Sequence, residues 1–328
     1  MLCGIAVIIL WSVIVGRARY GPMSQVVAIV GPTAVGKSAL AIRLAETFDG
    51  EIVSADSRQV YRYMDIGTAK PTPEARALVP HHLIDVINPD EEFNLAHYQE
   101  MAYQAIADIE QRGKLAILAG GSGLYVWAVL GGFKLPQAPP DAELRRSLEE
   151  KAAKEGYMAL YEELKHVDPD VAQRIDPRNV RRVIRALEVF YTTGLPLSKL
   201  QRSSPSFRTL ILGLTTERAD LYRQIDARVD SMMERGFVQE VQGLLERGYS
   251  LDLPCMSGLG YRQIGQYLKG EIDLSTAVQR IKHETHRFAR HQYAWFRPSD
   301  KRIHWFDVRN GVEEAINCLV QGFLRGSK

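Results

Sequence analysis

The apolar positions change their period along the chain, and each change marks an element. Val26–Val30 is an unbroken apolar run, VVAIV, the pattern of a buried strand. From Ser38 to Phe48 the pattern turns helical. Glu51–Ser54 predicts a short second strand, Pro80–Asp85 leads into another, and Leu115–Leu118 is a further one. Between them Asn94 to Arg112 predicts a helix, because Leu95, Tyr98, Ala102, Ile106 and Ile109 share a face. Strand and helix alternating from Val26 to Gly132 predict an α/β fold with a parallel sheet flanked by helices.

Past Gly132 the alternation stops. Lys134–Pro140 carries three prolines and predicts a linker. Asp141–Lys165 is charged and helical. Arg178–Tyr191 predicts a second helix, apolar at Val180, Val183, Ile184, Leu187 and Phe190 and stopped by Gly194 and Pro196. Ser203–Ser206 predicts the return linker, and Phe207–Leu214 is again a strand. The helical piece is therefore expected as an all-helical insertion, residues 139–206, in a core of 25–138 and 207–328. Helices are expected over Leu221–Arg235, Phe237–Arg247, Gln263–Leu268, Leu274–Arg297 and Val312–Leu324, with a late strand at Ile303–Phe306.

Composition narrows the class only a little. The 328 residues are 46% hydrophobic and 24% charged, enough for a sizeable core in an ordinary water-facing protein. Net charge is +2, so nucleic acid is not announced globally, yet Arg174–Arg185 and Lys282–Arg302 are basic clusters. Cys3, Cys255 and Cys318 are far apart with no CxxC pair, which argues against a disulfide framework or zinc site and fits a reducing, cytoplasmic setting. His81, His82, His283, His286 and His291 lack the cysteine or carboxylate spacing of a zinc site. Ile5–Val15 is apolar but too short to span a bilayer as a helix. It also lacks the basic start of a secretory signal. Residues 1–24 are expected to be a disordered extension or a misassigned start, with a membrane-associated segment as the alternative.

The chemistry begins at Gly31-Pro32-Thr33-Ala34-Val35-Gly36-Lys37-Ser38, a G-x-x-x-x-G-K-S phosphate-binding loop between strand and helix. Its backbone N–H groups and the helix N-terminus cradle phosphate oxygens. Lys37 adds a point charge, and the Ser38 hydroxyl suits Mg²⁺. Asp56 follows the second strand and is expected at the ligand crevice, where carboxyl ends of parallel strands open. Ser122 sits in a glycine turn on the same edge. The residues alone leave Asp56 as base, helix cap or Mg²⁺-shell carboxylate. They leave Ser122 as a ligand group or a turn serine, and Arg228 as a phosphate clamp or a surface ion pair with Asp226 or Asp230.

GPTAVGKS, SADSRQVY, DIGTAKP, HHLID, AGGSGLY, RRVIRALEVF and GLGYRQ occur in an order that resembles the tRNA dimethylallyltransferases, also called tRNA isopentenyltransferases, over about Val26 to Phe306. The resemblance implies a P-loop NTPase-like core. It implies transfer of a dimethylallyl group from dimethylallyl diphosphate to the exocyclic amine of the adenosine 3′ of the anticodon, in tRNAs reading codons that begin with U. The loop would then hold a diphosphate leaving group with Mg²⁺ and not ATP, and no Walker B aspartate beside a catalytic glutamate is evident. By the same resemblance Asp56 is the general base, Ser122 lies beside diphosphate and adenosine, and Arg228 clamps the diphosphate. Asp56, Ser57, Arg58 and Gln59 would touch tRNA, as would Gly260, Tyr261, Arg262 and Gln263, and Arg181, Arg182 and Arg185 on the insertion. Tyr261 and Arg262 suit stacking against a splayed loop. His291 departs from the lysine or arginine common beside the position of Gln292. The anticodon stem-loop is the expected partner, with no stable protein partner and a monomer expected. A P-loop kinase using ATP and a non-catalytic tRNA binder are the competing functions.

Overall fold

The computed structural model describes residues 24–132, 141–199 and 207–326. The expected extension and both expected linkers lie outside the described residues, the extension but for its last residue. The described residues fall into two compact units. One is drawn from residues 24–93, 100–126 and 207–326, the other from 94–99, 127–132 and 141–199.

The first unit is built on six parallel strands: β1 Ser24–Val30, β2 Gly50–Ser54, β3 His81–His82, β4 Leu115–Ala119, β5 Phe207–Thr215 and β6 Ile303–Asp307. Their order across the sheet is β3-β2-β4-β1-β5-β6. This is the α/β architecture that the alternating pattern predicts. Val26–Val30 has no exposed surface because β1 lies between β4 and β5 with both faces covered, the environment in which a continuous aliphatic run is most stable. Helix α1 (Lys37–Thr47) lays Leu40, Ala41, Leu44 and Ala45 against the sheet beside Val27 and Ile29. α2 (Pro73–Leu78), capped by Thr72, is a short helix that the polar sequence does not suggest. α3 spans Leu95–Gln111 and α4 Gly123–Leu130.

At the opposite end of β2 from the crevice, Glu51 is buried and takes a double hydrogen bond from Arg112 and one from His82 at 2.7 Å. The Arg112 guanidinium and His82 hold its carboxyl down to about 2, against the burial that would raise it. His81 bonds the Val79 carbonyl at 2.7 Å. Both histidines of the HHLID stretch therefore have structural partners.

The second unit is helical: α5 Ala142–Glu155, α6 Tyr157–Val167, α7 Pro169–Ala172 and α8 Val180–Thr193. The sequence pattern treats Asp141–Lys165 as one stretch, but Gly156 breaks it at φ 85°, a left-handed conformation that side-chain-bearing residues resist. α8 starts two residues later than expected because the Asn179 side chain accepts from Arg182 N and caps it. Leu148, Leu160, Leu164, Val183, Ile184 and Leu187 form this unit's core.

The first unit continues with α9 Arg218–Glu234, α10 Phe237–Glu246, α11 Tyr261–Leu268, α12 Leu274–Trp295 and α13 Glu313–Arg325. A second core of this unit gathers Val60, Met64, Phe237, Val241, Leu244, Met256, Tyr261, Ile264 and Ile281. Among the described residues no helix is long and apolar enough to cross a membrane.

Candidate active site

Because all strands run the same way, the segments after β1, β2 and β4 emerge on one edge of the sheet. The ladder continues past the strands: Ala55 N donates to Ala119 O (2.8 Å), Gly120 N to Ile29 O (3.1 Å) and Ser122 N to Ala55 O (3.3 Å). These bonds set the phosphate-binding loop, Asp56 and Ser122 side by side around one cavity of about 450 Å³ within the first unit.

Its polar end is the loop. Gly36 takes φ 97° at the start of α1, a turn that aims the helix N-terminus at the cavity. Lys37 reaches back to donate to Pro32 O at 2.6 Å, and Ser38 stands at the lining. Burial depresses the Lys37 ammonium to about 7; Arg228 pushes the same way and Asp56 opposes it. Arg228, half-buried on α9, donates to the Thr33 hydroxyl at 3.3 Å. Its alternative partners are engaged elsewhere: Asp230 lies 2.7 Å from Lys282, and Asp226 lies 2.8 Å from His286. The surface-pair reading of Arg228 does not hold. Thr33, Ala34, Lys37 and Ser38 line the cavity, while Gly31, Pro32, Val35 and Gly36 shape the loop behind them.

Sequence reasoning passed over the clamp behind this end. Gln292, on α12, is 4% exposed. Its Oε1 accepts from Thr33 N (2.7 Å) and its Nε2 donates to Gly121 O (2.9 Å), so one amide joins the loop to the Ser122 turn. His291 beside it is exposed and does not line the cavity.

On the other side stands Asp56. Its Oδ1 accepts from Arg58 N at 2.8 Å, an Asx turn that fixes the carboxylate toward the cavity mouth. Ser57 N donates to Ser122 Oγ at 3.1 Å. The Gln59 amide donates to Thr68 O and Ala69 O, 3.3 Å each, and the Ser54 hydroxyl donates to Gln59 Oε1 at 2.9 Å. The Arg58 guanidinium donates to the carbonyls of Pro254 and Cys255.

The GLGYRQ stretch behaves differently from expectation. Tyr261 is 1% exposed, packed edge-on against Phe237 at 5.1 Å between centroids, with its hydroxyl donating to Glu240 at 2.6 Å. Burial and the Glu240 charge raise that hydroxyl well above its ordinary value, so it stays a donor. Tyr261 is a core tyrosine that also edges the cavity and holds the loop. Gln263 is equally buried and accepts from Gly260 N at 2.9 Å, capping α11. Arg262 is exposed and lies 2.6 Å from Glu284.

The remaining wall is apolar. Ile225, Val229 and Met232 of α9 and Ile281 and Phe288 of α12 line it. The signal was legible in retrospect: Ile225, Arg228, Val229 and Met232 share one helical face, so Arg228 stands in an apolar stripe. Arg181, Arg182 and Arg185 belong to the second unit and line no part of this cavity. Arg181 and Arg182 are exposed, with no carboxylate partner among the described residues. Arg185 lies 2.6 Å from buried Glu188, which Arg145 also holds at 2.8 Å, so two guanidiniums share one carboxylate.

One cavity therefore offers an anion cradle with two cations, a carboxylate, a hydroxyl and an apolar flank. Ser38 and Asp56 supply oxygen donors of the hard kind that suits Mg²⁺, an ion that takes one or two protein ligands and completes its shell with phosphate and water.

Comparison with known proteins bears on this arrangement. The IPP transferase family model matches residues 59–299. The chain is 59% identical over 277 residues to tRNA dimethylallyltransferase of Roseiflexus castenholzii, covering 84% of this chain and 90% of that protein. It is 56% identical over 302 residues to the same enzyme of Thermomicrobium roseum, covering 92% of each. Among solved structures it is similar to tRNA isopentenylpyrophosphate transferase of Bacillus halodurans. That chain is 40% identical, the TM-score is 0.69, and the match covers 93% of this chain and 98% of that one. A eukaryotic dimethylallyltransferase acting on tRNA, 28% identical, gives a TM-score of 0.77 over 92% of this chain and 80% of its own.

Proposed function

We propose the following reaction for this chain, which belongs to the IPP transferase family of tRNA dimethylallyltransferases. It transfers a dimethylallyl group from dimethylallyl diphosphate to the N6 amine of the adenosine 3′ of the anticodon, in tRNAs reading codons that begin with U. Diphosphate is released. The observation that carries the reading is the division of the cavity: phosphate cradle at one end, Asp56 beside it, apolar wall along the flank. A five-carbon allylic chain on a diphosphate matches that division. A nucleotide kinase would need a second phosphate acceptor site where this wall is apolar.

In the transfer step the allylic carbon–oxygen bond breaks, and its electron pair leaves with the diphosphate. The amine nitrogen forms the new bond to that carbon, and one amine proton passes to an Asp56 carboxylate oxygen. An exocyclic base amine is a weak nucleophile, so removing its proton as the bond forms contributes about 10²–10⁴-fold. Lys37, Arg228 and the N–H groups at the start of α1 face the leaving group, where negative charge grows in the transition state. Thr33 and Ser122 are tied to the same frame through Gln292 and Ser57. A Mg²⁺ held by Ser38, with Asp56 close by, would supply further charge neutralisation on the diphosphate. The apolar wall excludes water, which protects an electron-poor allylic carbon from hydrolysis.

The reading is tested by incubating the protein with labelled dimethylallyl diphosphate, Mg²⁺ and bacterial tRNA. Label enters tRNA. Phosphate transfer from ATP with no label in tRNA would sink the proposal.

On this reading Arg181 and Arg182, exposed on α8, meet RNA phosphate. Replacing both with alanine weakens tRNA binding and lowers the slope of log affinity against log salt by about 0.7–0.9 for each phosphate no longer neutralised. A double variant with an unchanged salt slope would show that α8 does not touch the backbone.

A further inference from the structure

Glu240, on α10, makes four hydrogen bonds, all to other segments of the chain. Its Oε2 accepts from the backbone N–H groups of Asp65 (2.8 Å) and Ile66 (2.6 Å). Its Oε1 accepts from Gly67 N–H (3.1 Å) and from the Tyr261 hydroxyl (2.6 Å). Three successive backbone N–H groups turned onto one anion make a nest, and here the protein's own carboxylate fills it.

The two segments so joined are both cavity walls. Gly67, Thr68 and Ala69 line it from one loop, Gly260 and Tyr261 from the other. The joint has no slack: a Cβ on Gly67 would lie 2.3 Å from the Phe237 ring and 2.6 Å from the Tyr261 ring. Gln59 hangs from the same loop through Thr68 O and Ala69 O, so a shift there reaches the Asp56–Gln59 segment. The phosphate end is braced separately, by the pairing of β1 with β4 and β5 and by Gln292. None of these braces involves Glu240.

We propose that Glu240 is a positioning residue for the acceptor side of the cavity. It holds the 65–70 loop against the 257–261 turn at the spacing that admits an RNA nucleoside beside Asp56, and it leaves the diphosphate side untouched. This rests on the reading that the cavity takes a donor diphosphate at one end and an acceptor nucleoside at the other.

Both oxygens of Glu240 accept two bonds each, which makes Glu240→Gln informative. With its NH₂ in the Oε2 place the amide faces two backbone N–H donors and loses both bonds; with its NH₂ in the Oε1 place the Tyr261 hydroxyl can turn to accept, but the Gly67 N–H bond is lost. Either way the carboxylate charge is gone, with little change in volume. The KM for an anticodon stem-loop RNA rises at least about tenfold, as expected when hydrogen bonds to a charged group are lost. The dissociation constant for dimethylallyl diphosphate, measured by calorimetry without RNA, stays within about twofold, since sites without shared partners act independently. Tyr261→Phe removes one of the four bonds and raises the RNA KM about threefold with the same unchanged donor affinity; it stands alone if Glu240→Gln yields no folded protein. An active wild type whose variants keep its RNA KM, or lose donor and RNA affinity in step, overturns the role of Glu240. A wild type that transfers no label overturns the underlying reaction, and the proposal with it.

Discussion

Asp56→Asn lowers turnover of tRNA by about 10²–10⁴-fold while tRNA binding stays within about threefold. Asparagine keeps an oxygen to accept from Arg58 N, so the turn after β2 survives and the change isolates basicity. The group is placed for the role: it shares one cavity with Ser122, which is held by Ser57 N, and with the phosphate loop. The substitution has a second consequence. Asp56 is the charge that opposes the depression of the Lys37 ammonium, so its removal lowers Lys37 further. Donor affinity near neutral pH therefore weakens in the variant, and less so in mildly acidic solution. Single-turnover rates at saturating donor separate this from the loss of the base. A variant that keeps the wild-type single-turnover rate would remove Asp56 from the chemistry.

Lys37 carries the second large effect. Lys37→Ala lowers kcat/KM by about 10²–10³-fold, the size of loss seen when one preorganised group facing developing charge is removed. Its environment also predicts a pH dependence whose sign is fixed. The ammonium is depressed to about 7, first by burial, then by Arg228. Diphosphate binds the charged form. In the free protein that form is complete well below about 7 and is lost as pH rises through it. Above that point binding must first restore the proton, so the dissociation constant for inorganic diphosphate increases about tenfold per pH unit at fixed Mg²⁺. Calorimetric titrations across about pH 6 to 9 read this slope, and the Lys37→Ala protein, lacking the group, shows a smaller one. A wild-type constant that does not move with pH would mean that Lys37 stays charged in the folded protein.

Much of this site was readable before any fold was known. G-x-x-x-x-G-K-S needs only its neighbours in the chain to act, because the loop, Lys37 and the helix N-terminus are local features. Asp56 was placed correctly at the crevice because parallel strands open their carboxyl ends on one edge, and strand polarity follows from the alternating pattern. What the letters do not carry is which partners certain side chains find. Tyr261, Gln263 and Arg185 sit in stretches that look like contact surface, yet what each touches lies far away or on another turn: Phe237 and Glu240, the Gly260 backbone, Glu188. A tyrosine that stacks on RNA and one that seals a core have the same letter; only burial separates them.

The chain's local order thus determines the strands, most of the helices, the phosphate loop and the place of Asp56, since each depends on period, turn chemistry or residues a few positions apart. Three things were decided by tertiary structure alone. One is the brace of Gln292 between Thr33 and Gly121, residues 259 and 171 positions away. Another is the apolar wall formed where α9 and α12 pack side by side along the cavity. The third is the carboxylate of Glu240, filling a nest some 175 positions earlier. In each case the interaction exists only after the intervening chain has folded. No local pattern encodes it, because the free energy that selects it comes from burial and hydrogen bonding between segments that the sequence keeps apart.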